Sequence, residues 1–270
     1  VSQEVVSLES RDHVFYVERT PQTAFVRAAP VEVGPTLAER VFQPSRTVVL
    51  ASATLSVGGD TTYFEERLGL TRVRERVHTV TFASEFDYRR QVTLCIPVNM
   101  PDPRDSEWLE AVGDAVVDLV DVTRGRALVL FTSRSHLEKV YEARRQQIER
   151  LGYPVLSQTG GVSRAYLRRE FSQSVSSVLF ATKSFFEGVD VPGEALSAVI
   201  LTRLPFAVPT DPIVEARRER ITEAGRDAME EYYLPQAIIA FRQAFGRLIR
   251  KKTDRGCVCL LYTSPSPRDS

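Results

Sequence analysis

Lysine is scarce in this 270-residue chain: Lys139, Lys183, Lys251 and Lys252 are the only four among 35 basic residues. Nearly every cation is therefore arginine, which reads either as coding bias or as a set of planar forks for phosphate or carboxylate. Net charge is missing as well, because 35 acidic residues bring the formal sum to zero. A balanced chain is not one that grips a polyanion over its whole surface. Cys95, Cys257 and Cys259 are too few and too badly spaced for a disulfide framework or a four-ligand metal site. Each lies in an apolar, β-like run, where a buried thiol is the expectation and a metal is not. No hydrophobic stretch approaches the roughly 18 residues of a membrane helix, and no signal-peptide pattern opens the chain. What remains, 43% hydrophobic and 26% charged, suits a globular cytoplasmic protein of one large domain or two modest ones, with no membrane partner.

The charge that is present is unevenly placed. Asp102–Asp121 carries seven acids and one base, and Arg242–Arg255 six bases and one acid. Either block is also what a solvated face looks like. Short β-like runs at 14–17 and 24–28 precede a helix candidate at 36–42. The continuous apolar run Thr47–Leu55 has the pattern of a buried parallel strand, and 61–70 is helical in character. From Val92 onward strand and helix alternate: strands at 92–96, 127–131, 154–157, 178–182, 196–202 and 256–260. Helices are expected at 106–122, from Ser135 with Glu138 as a capping box, at 163–172, after the Pro-rich 204–212, and at 235–250. This alternation predicts an α/β sandwich around a mostly parallel sheet.

Three constellations carry chemistry. On a helix continuing to Arg250, Gln243, Arg247 and Arg250 fall within about 60° of one another, opposite Phe241, Phe245 and Leu248. An amide and two aligned guanidiniums can meet phosphate oxygens, although a basic solvated face has the same pattern. Gly246 beside them permits close approach. The strand at 178–182 runs into a loop with Glu187, Gly188 and Asp190 before Pro192-Gly193. Ligands of open α/β sheets bind at strand carboxyl ends, where this loop would lie. Those acids could serve as acid/base partners or bond ribose hydroxyls, backbone amides or an arginine. Finally, Ser52-Ala53-Thr54 closes its strand with small hydroxyls.

In this order, Ser-Ala-Thr, then Glu187-Gly-Val-Asp-Val-Pro-Gly193, then Gln243-x-x-Gly-Arg247-x-x-Arg250 resemble motifs III, V and VI of superfamily 2 helicases. With Leu128–Ser133 and Leu204-Pro-Phe-Ala-Val-Pro-Thr-Asp-Pro212 they resemble the DinG/XPD family of DNA helicases, in its bacterial DinG-like branch. The resemblance implies a RecA-like P-loop NTPase fold. Residues 1–84 would be the tail end of the first lobe and 85–258 the second helicase lobe. It implies ATP with Mg²⁺ between the lobes, single-stranded or forked DNA as partner, a monomer, 5′ to 3′ movement, and a nucleoid-associated role in repair or replication. Arg250, Arg247 and Gln243 would face the phosphates, with Arg250 the likelier finger. Asp190 would approach the ribose, and Glu187 and Gly188 would order their loop. Ser52 and Thr54 would couple hydrolysis to lobe movement, and Thr132, Ser133, Arg134 and Gln158 would touch the DNA backbone.

The departures matter equally. The chain contains no Gly-x-x-x-x-Gly-Lys-Ser/Thr and no Asp-Glu-x-His, so the phosphate cradle and most Mg²⁺ ligands are expected upstream, and the chain alone is expected to be inactive. An iron–sulfur cluster is possible for the full-length protein, with no ligands here. Residues 259–269 resemble a translated sequencing-library adaptor, which makes 259–270 an expected foreign tail. Two further readings stay open: a non-catalytic nucleic-acid-binding module, and an ATP-dependent exonuclease with an upstream nuclease domain.

Overall fold

The computed structural model describes Ser10 and residues 12–20, 22–182, 196–246 and 248–262. The chain divides into two compact units, one formed by Val1–Phe82 with Phe206–Ala240, the other by Ala83–Pro205 with Phe241–Ser270.

In the first unit, β1 (His13–Arg19) and β2 (Ala24–Pro30) form an antiparallel hairpin in which Val17 faces Val26. The short helix α1 (Gly34–Leu37) runs into a π-helical turn over Ala38–Phe42. Helix α2 (Thr62–Leu68) ends at Gly69, whose φ of 74° no side chain adopts readily; a Cβ there would also lie 2.1 Å from Gly34 O. Glu65 on α2 is buried, and it is matched by Thr61 Oγ1 at 2.8 Å, Thr79 Oγ1 at 3.1 Å and the Arg74 guanidinium. A buried carboxylate needs such partners. Later, Asp211 caps α7 (Pro212–Glu223), accepting from the N–H groups of Ile213 and Val214, with Pro212 in the first turn. Arg217 of α7 donates to Val31 O at 2.7 Å, and Arg217 and Arg67 both lie over the Tyr232 ring. These contacts tie residues 206–240 to the rest of this unit.

The expected strand at 47–55 does not form. Residues 47–52 carry no regular structure, and Val48, Val49 and Leu50 are 40%, 82% and 42% exposed. A strand exists only through hydrogen bonds to a neighbour. Among the described residues none pairs with this run.

The second unit is built on a sheet ordered β3-β8-β7-β4-β6-β5, parallel at every pairing. The strands are β3 (Val92–Cys95), β4 (Ala127–Phe131), β5 (Val155–Ser157), β6 (Val178–Thr182), β7 (Ala198–Leu201) and β8 (Gly256–Leu260). Central β4, β6 and β7 are almost wholly buried, as continuous apolar runs in a parallel sheet covered on both faces should be. Their side chains alternate between two cores. Leu128, Leu130, Leu179 and Val199 face helix α6 (Arg164–Gln173) through Leu167 and Phe171. Val129, Phe131, Phe180 and Ile200 face α4 (Trp108–Thr123) and α5 (Arg134–Arg150) through Val112, Val116, Leu137 and Ile148. Phe131 stacks on Phe180 with ring centroids 5.9 Å apart. Exposed pairs such as Arg145–Glu149 contribute about 0.3–0.5 kcal/mol each. A single buried Leu or Phe contributes about 1.5–3 kcal/mol, so burial holds this unit together.

Between α4 and β4 the backbone takes three left-handed steps in succession, Arg124 (φ 55°), Gly125 (71°) and Arg126 (49°). A Cβ on Gly125 would sit 1.8 Å from Ser176 O. Arg126 is held by its own guanidinium, which donates to Thr123 O at 3.2 and 3.1 Å.

β8 crosses the expected boundary at residue 258. Cys259 is opposite Cys95 on β3 and Ile200 on β7, Leu260 is opposite Leu201, and Cys259 and Leu261 are fully buried. Among the described residues no helix is long and apolar enough to cross a membrane.

Candidate functional site

Parallel pairing gives the sheet one carboxyl edge and one amino edge, and the expected site residues divide between them. The carboxyl edge receives Thr132, Ser133 and Arg134 after β4, and Gln158 after β5. The registers set Phe131 opposite Thr182 and Ser157 opposite Phe180. Ser133, with extended backbone, precedes the first turn of the 17-residue α5, and its own side chain does not cap the N–H groups there. That end of the helix carries the positive pole of its dipole, which favours an anion. Arg134 pairs with Glu138 at 3.1 Å, and Ser133 Oγ meets Ser135 Oγ at 2.9 Å. The capping box expected of Ser135 and Glu138 is therefore absent. The chain enters the helix two residues earlier, which leaves Glu138 within reach of Arg134 instead.

Gln158 is half-buried, and its Oε1 accepts from both the N–H and the hydroxyl of Thr182, at 2.9 and 3.0 Å. Donors alone remain on that amide for any other group, and donors are what a phosphate takes.

A basic residue that the motif pattern did not mark stands on the same edge. Arg203, just beyond β7, stacks over the Trp108 ring at 4.2 Å and donates through Nη2 to Pro103 O at 2.8 Å. Its signal in the sequence was a cation directly after a fully apolar strand. His136 also lies near Trp108, 5.7 Å away between ring centroids. Burial first, then the Arg203 and Lys139 charges, hold its imidazole below the usual histidine range.

At the amino edge the picture differs from the expected helix. α8 (Leu234–Phe245) stops five residues short of Arg250. Gly246, the weakest helix former here, lies in the turn and donates to Arg242 O at 2.8 Å. Leu248 and Ile249 are then both buried against the sheet. Arg250 begins a separate turn, its N–H donating to Asp254 Oδ2 at 2.9 Å. The common helical face proposed for Gln243 and Arg250 is thus corrected: Gln243 is exposed on the last turn of α8, while Arg250 is half-buried in a loop leading into β8. Gly246 makes room only for its own turn, the nearest atom to an added Cβ being Arg242 O at 3.1 Å. Arg247, Glu187, Gly188 and Asp190 lie outside the described residues.

In the first unit Ser52 Oγ accepts from Thr54 N at 3.2 Å, and the two hydroxyls are 3.2 Å apart. Ser52 is exposed. The three cysteines lie within β3 and β8, and their placement inside the sheet does not fit an iron–sulfur site. Among the described residues no group of three His, Cys, Asp or Glu could hold a metal ion.

A six-stranded parallel sheet, helices on both faces and loops of opposite edges carrying arginine and amide donors define a RecA-like α/β lobe. The family model described as the helicase C-terminal domain matches residues 116–264. The chain belongs to that family. It is 33% identical over 248 residues to the ATP-dependent DNA helicase YoaA of Haemophilus influenzae, covering 92% of this chain and 38% of that protein. It is 34% identical over 259 residues to the ATP-dependent helicase DinG of Mycobacterium tuberculosis (96% and 37%). It is likewise 34% identical over 241 residues to the 3'-5' exonuclease DinG of Bacillus subtilis (87% and 26%). The chain thus spans well under two thirds of these relatives. Among solved structures, an XPD helicase superposes with a TM-score of 0.66 at 17% identity, covering 96% of this chain and 45% of that one. That likeness concerns the fold.

Proposed function

We propose that this chain is the C-terminal portion of an ATP-dependent DNA helicase that moves along single-stranded DNA and opens duplexes or forks. Membership of the helicase C-terminal domain family carries the reading, and the names of the YoaA and DinG relatives support ATP and DNA as ligands. Residues 1–84 are read as the end of the first lobe and 85–258 as the second lobe. The foreign-tail reading of 259–270 rests on its resemblance to an adaptor, although Cys259 is in register with β3 and β7. The protein works as a monomer in the cytoplasm, at the nucleoid, in repair or replication, with 5′ to 3′ movement.

ATP bound with Mg²⁺ supplies the phosphoanhydride whose cleavage drives movement. This chain's part is electrostatic. Arg250, with Arg247, neutralises charge that grows on the phosphate oxygens in the transition state, and Gln243 orients them. Asp190 takes the ribose, and Glu187 with Gly188 shapes the loop that carries it. Thr132, Ser133, Arg134 and Gln158, at the carboxyl edge, hold the DNA backbone through donors that a phosphate accepts. Ser52 and Thr54 relay the change between lobes.

The test is DNA-stimulated ATP turnover by the full-length protein. Arg250→Ala is expected to lower kcat by about 10³-fold or more, with DNA binding in the absence of ATP retained. A variant that turns over ATP at the parent rate removes Arg250 from the chemistry.

A further inference from the structure

The turn between α8 and β8 is held by the side chains of Gln91 and Asp254, neither of which is among the expected site residues. Gln91 closes the short helix α3 (Tyr88–Gln91) and is only 6% exposed. Its Nε2 donates to Lys251 O at 2.9 Å and to Asp254 O at 3.0 Å, across 160 residues of sequence. From inside the turn, Asp254 Oδ2 accepts from the N–H groups of Arg250 and Lys251, at 2.9 and 2.8 Å. Asp254 N–H closes back on Lys251 O at 3.1 Å, and Arg255 Nη1 donates to Arg90 O.

Lys251, Lys252 and Thr253 are exposed, whereas the carbonyls of Lys251 and half-buried Asp254 meet the buried Gln91 amide. That amide orders the turn. Both hydrogens of the Gln91 amide are committed to carbonyls of one turn, one Asp254 oxygen fixes two consecutive N–H groups, and buried Leu248 and Ile249 anchor the residues just before. The backbone at Arg250 is thereby fixed from three sides. A guanidinium on a long, flexible stem acts on a transition state only as well as its root is held.

We propose that Gln91 and Asp254 are positioning residues that preorganise Arg250 for the phosphate, an inference resting on the reading of Arg250 given above. Neither touches nucleotide; both act through the backbone of residues 250–254.

The experiment measures DNA-stimulated ATP turnover of the full-length protein, with thermal melting of each variant. Gln91→Ala and Asp254→Ala are each expected to lower kcat about tenfold or more while KM for ATP stays within about threefold. Asp254→Asn, whose amide oxygen can still accept both N–H groups, is expected to bring kcat back to within about twofold of the parent. The double variant Arg250→Ala/Asp254→Ala should be no slower than Arg250→Ala alone, because positioning has no effect without the group positioned. If Arg250→Ala abolishes turnover but the Gln91 and Asp254 variants keep it, positioning is overturned and the Arg250 reading stands. If Arg250→Ala keeps turnover, the Arg250 reading falls and the inference with it. A lower melting temperature with unchanged kcat also overturns positioning. Should Gln91→Ala not fold, the Asp254→Ala and Asp254→Asn pair, at the surface turn, decides.

Discussion

Gln158 shows how one amide divides its capacity. Its oxygen is spent twice on Thr182, and its hydrogens are left for the carboxyl edge. Gln158→Glu keeps the acceptor for Thr182 but puts a negative oxygen where the donors were. Affinity of the full-length protein for single-stranded DNA is expected to fall about tenfold, read by fluorescence anisotropy at fixed ionic strength. Unchanged affinity would remove Gln158 from the strand contact. His136 gives a pH signature. With its folded-state value depressed by burial, the neutral imidazole contributes stability above the ordinary value of about 6.5, and that stability is lost as pH falls through the depressed value. An NMR titration should place its midpoint below about 6.5, and His136→Gln should flatten the fall in melting temperature between neutral and mildly acidic pH. The edge residues Thr132 to Arg134 and Gln158 were legible because the strands before them were. Gln91 was not: its partners are far away in sequence and leave no local pattern.

Elements follow the apolar runs where a neighbour exists to complete them. β4, β6 and β8 fall where the sequence placed them, since a continuous run flanked by two strands has one way to bury itself. Thr47–Leu55 has the same composition without a partner among the described residues, and it lies open. The last helix was expected to reach Arg250 because its amphipathic spacing continues that far. The cost of Gly246, about 1 kcal/mol relative to Ala, was legible; that Asp254 takes the N–H groups of 250 and 251 was not. The Arg124–Arg126 connection was equally invisible, since two of its three left-handed residues are arginines. Gly125→Ala meets both a positive φ and a carbonyl oxygen. It should destabilise the second unit by about 2 kcal/mol or more in a denaturant titration; a change below about 0.5 kcal/mol would mean the connection is freer than its geometry implies.

Over the whole molecule, the proposed chemistry needs groups that this sequence does not hold. The purified 270-residue chain is expected to show no DNA-stimulated ATP hydrolysis, because its sequence holds neither a Walker A loop nor an Asp-Glu-x-His box. Activity that Arg250→Ala abolishes would contradict this. The zero net charge is compatible with a polyanionic partner if, as proposed, the basic residues act locally, at two edges of one sheet. Those edges are separated by strands of five residues, β4, β6 and β8, which at about 3.3 Å per residue amounts to roughly 16 Å. A covalent rod of that length, clamped by neighbours on both sides, hardly stretches. In the proposed cycle a displacement imposed at Arg250, on the amino edge, is therefore delivered almost undiminished at the carboxyl edge, and the sheet acts as a strut whose stiffness fixes how far each hydrolysis can move the strand.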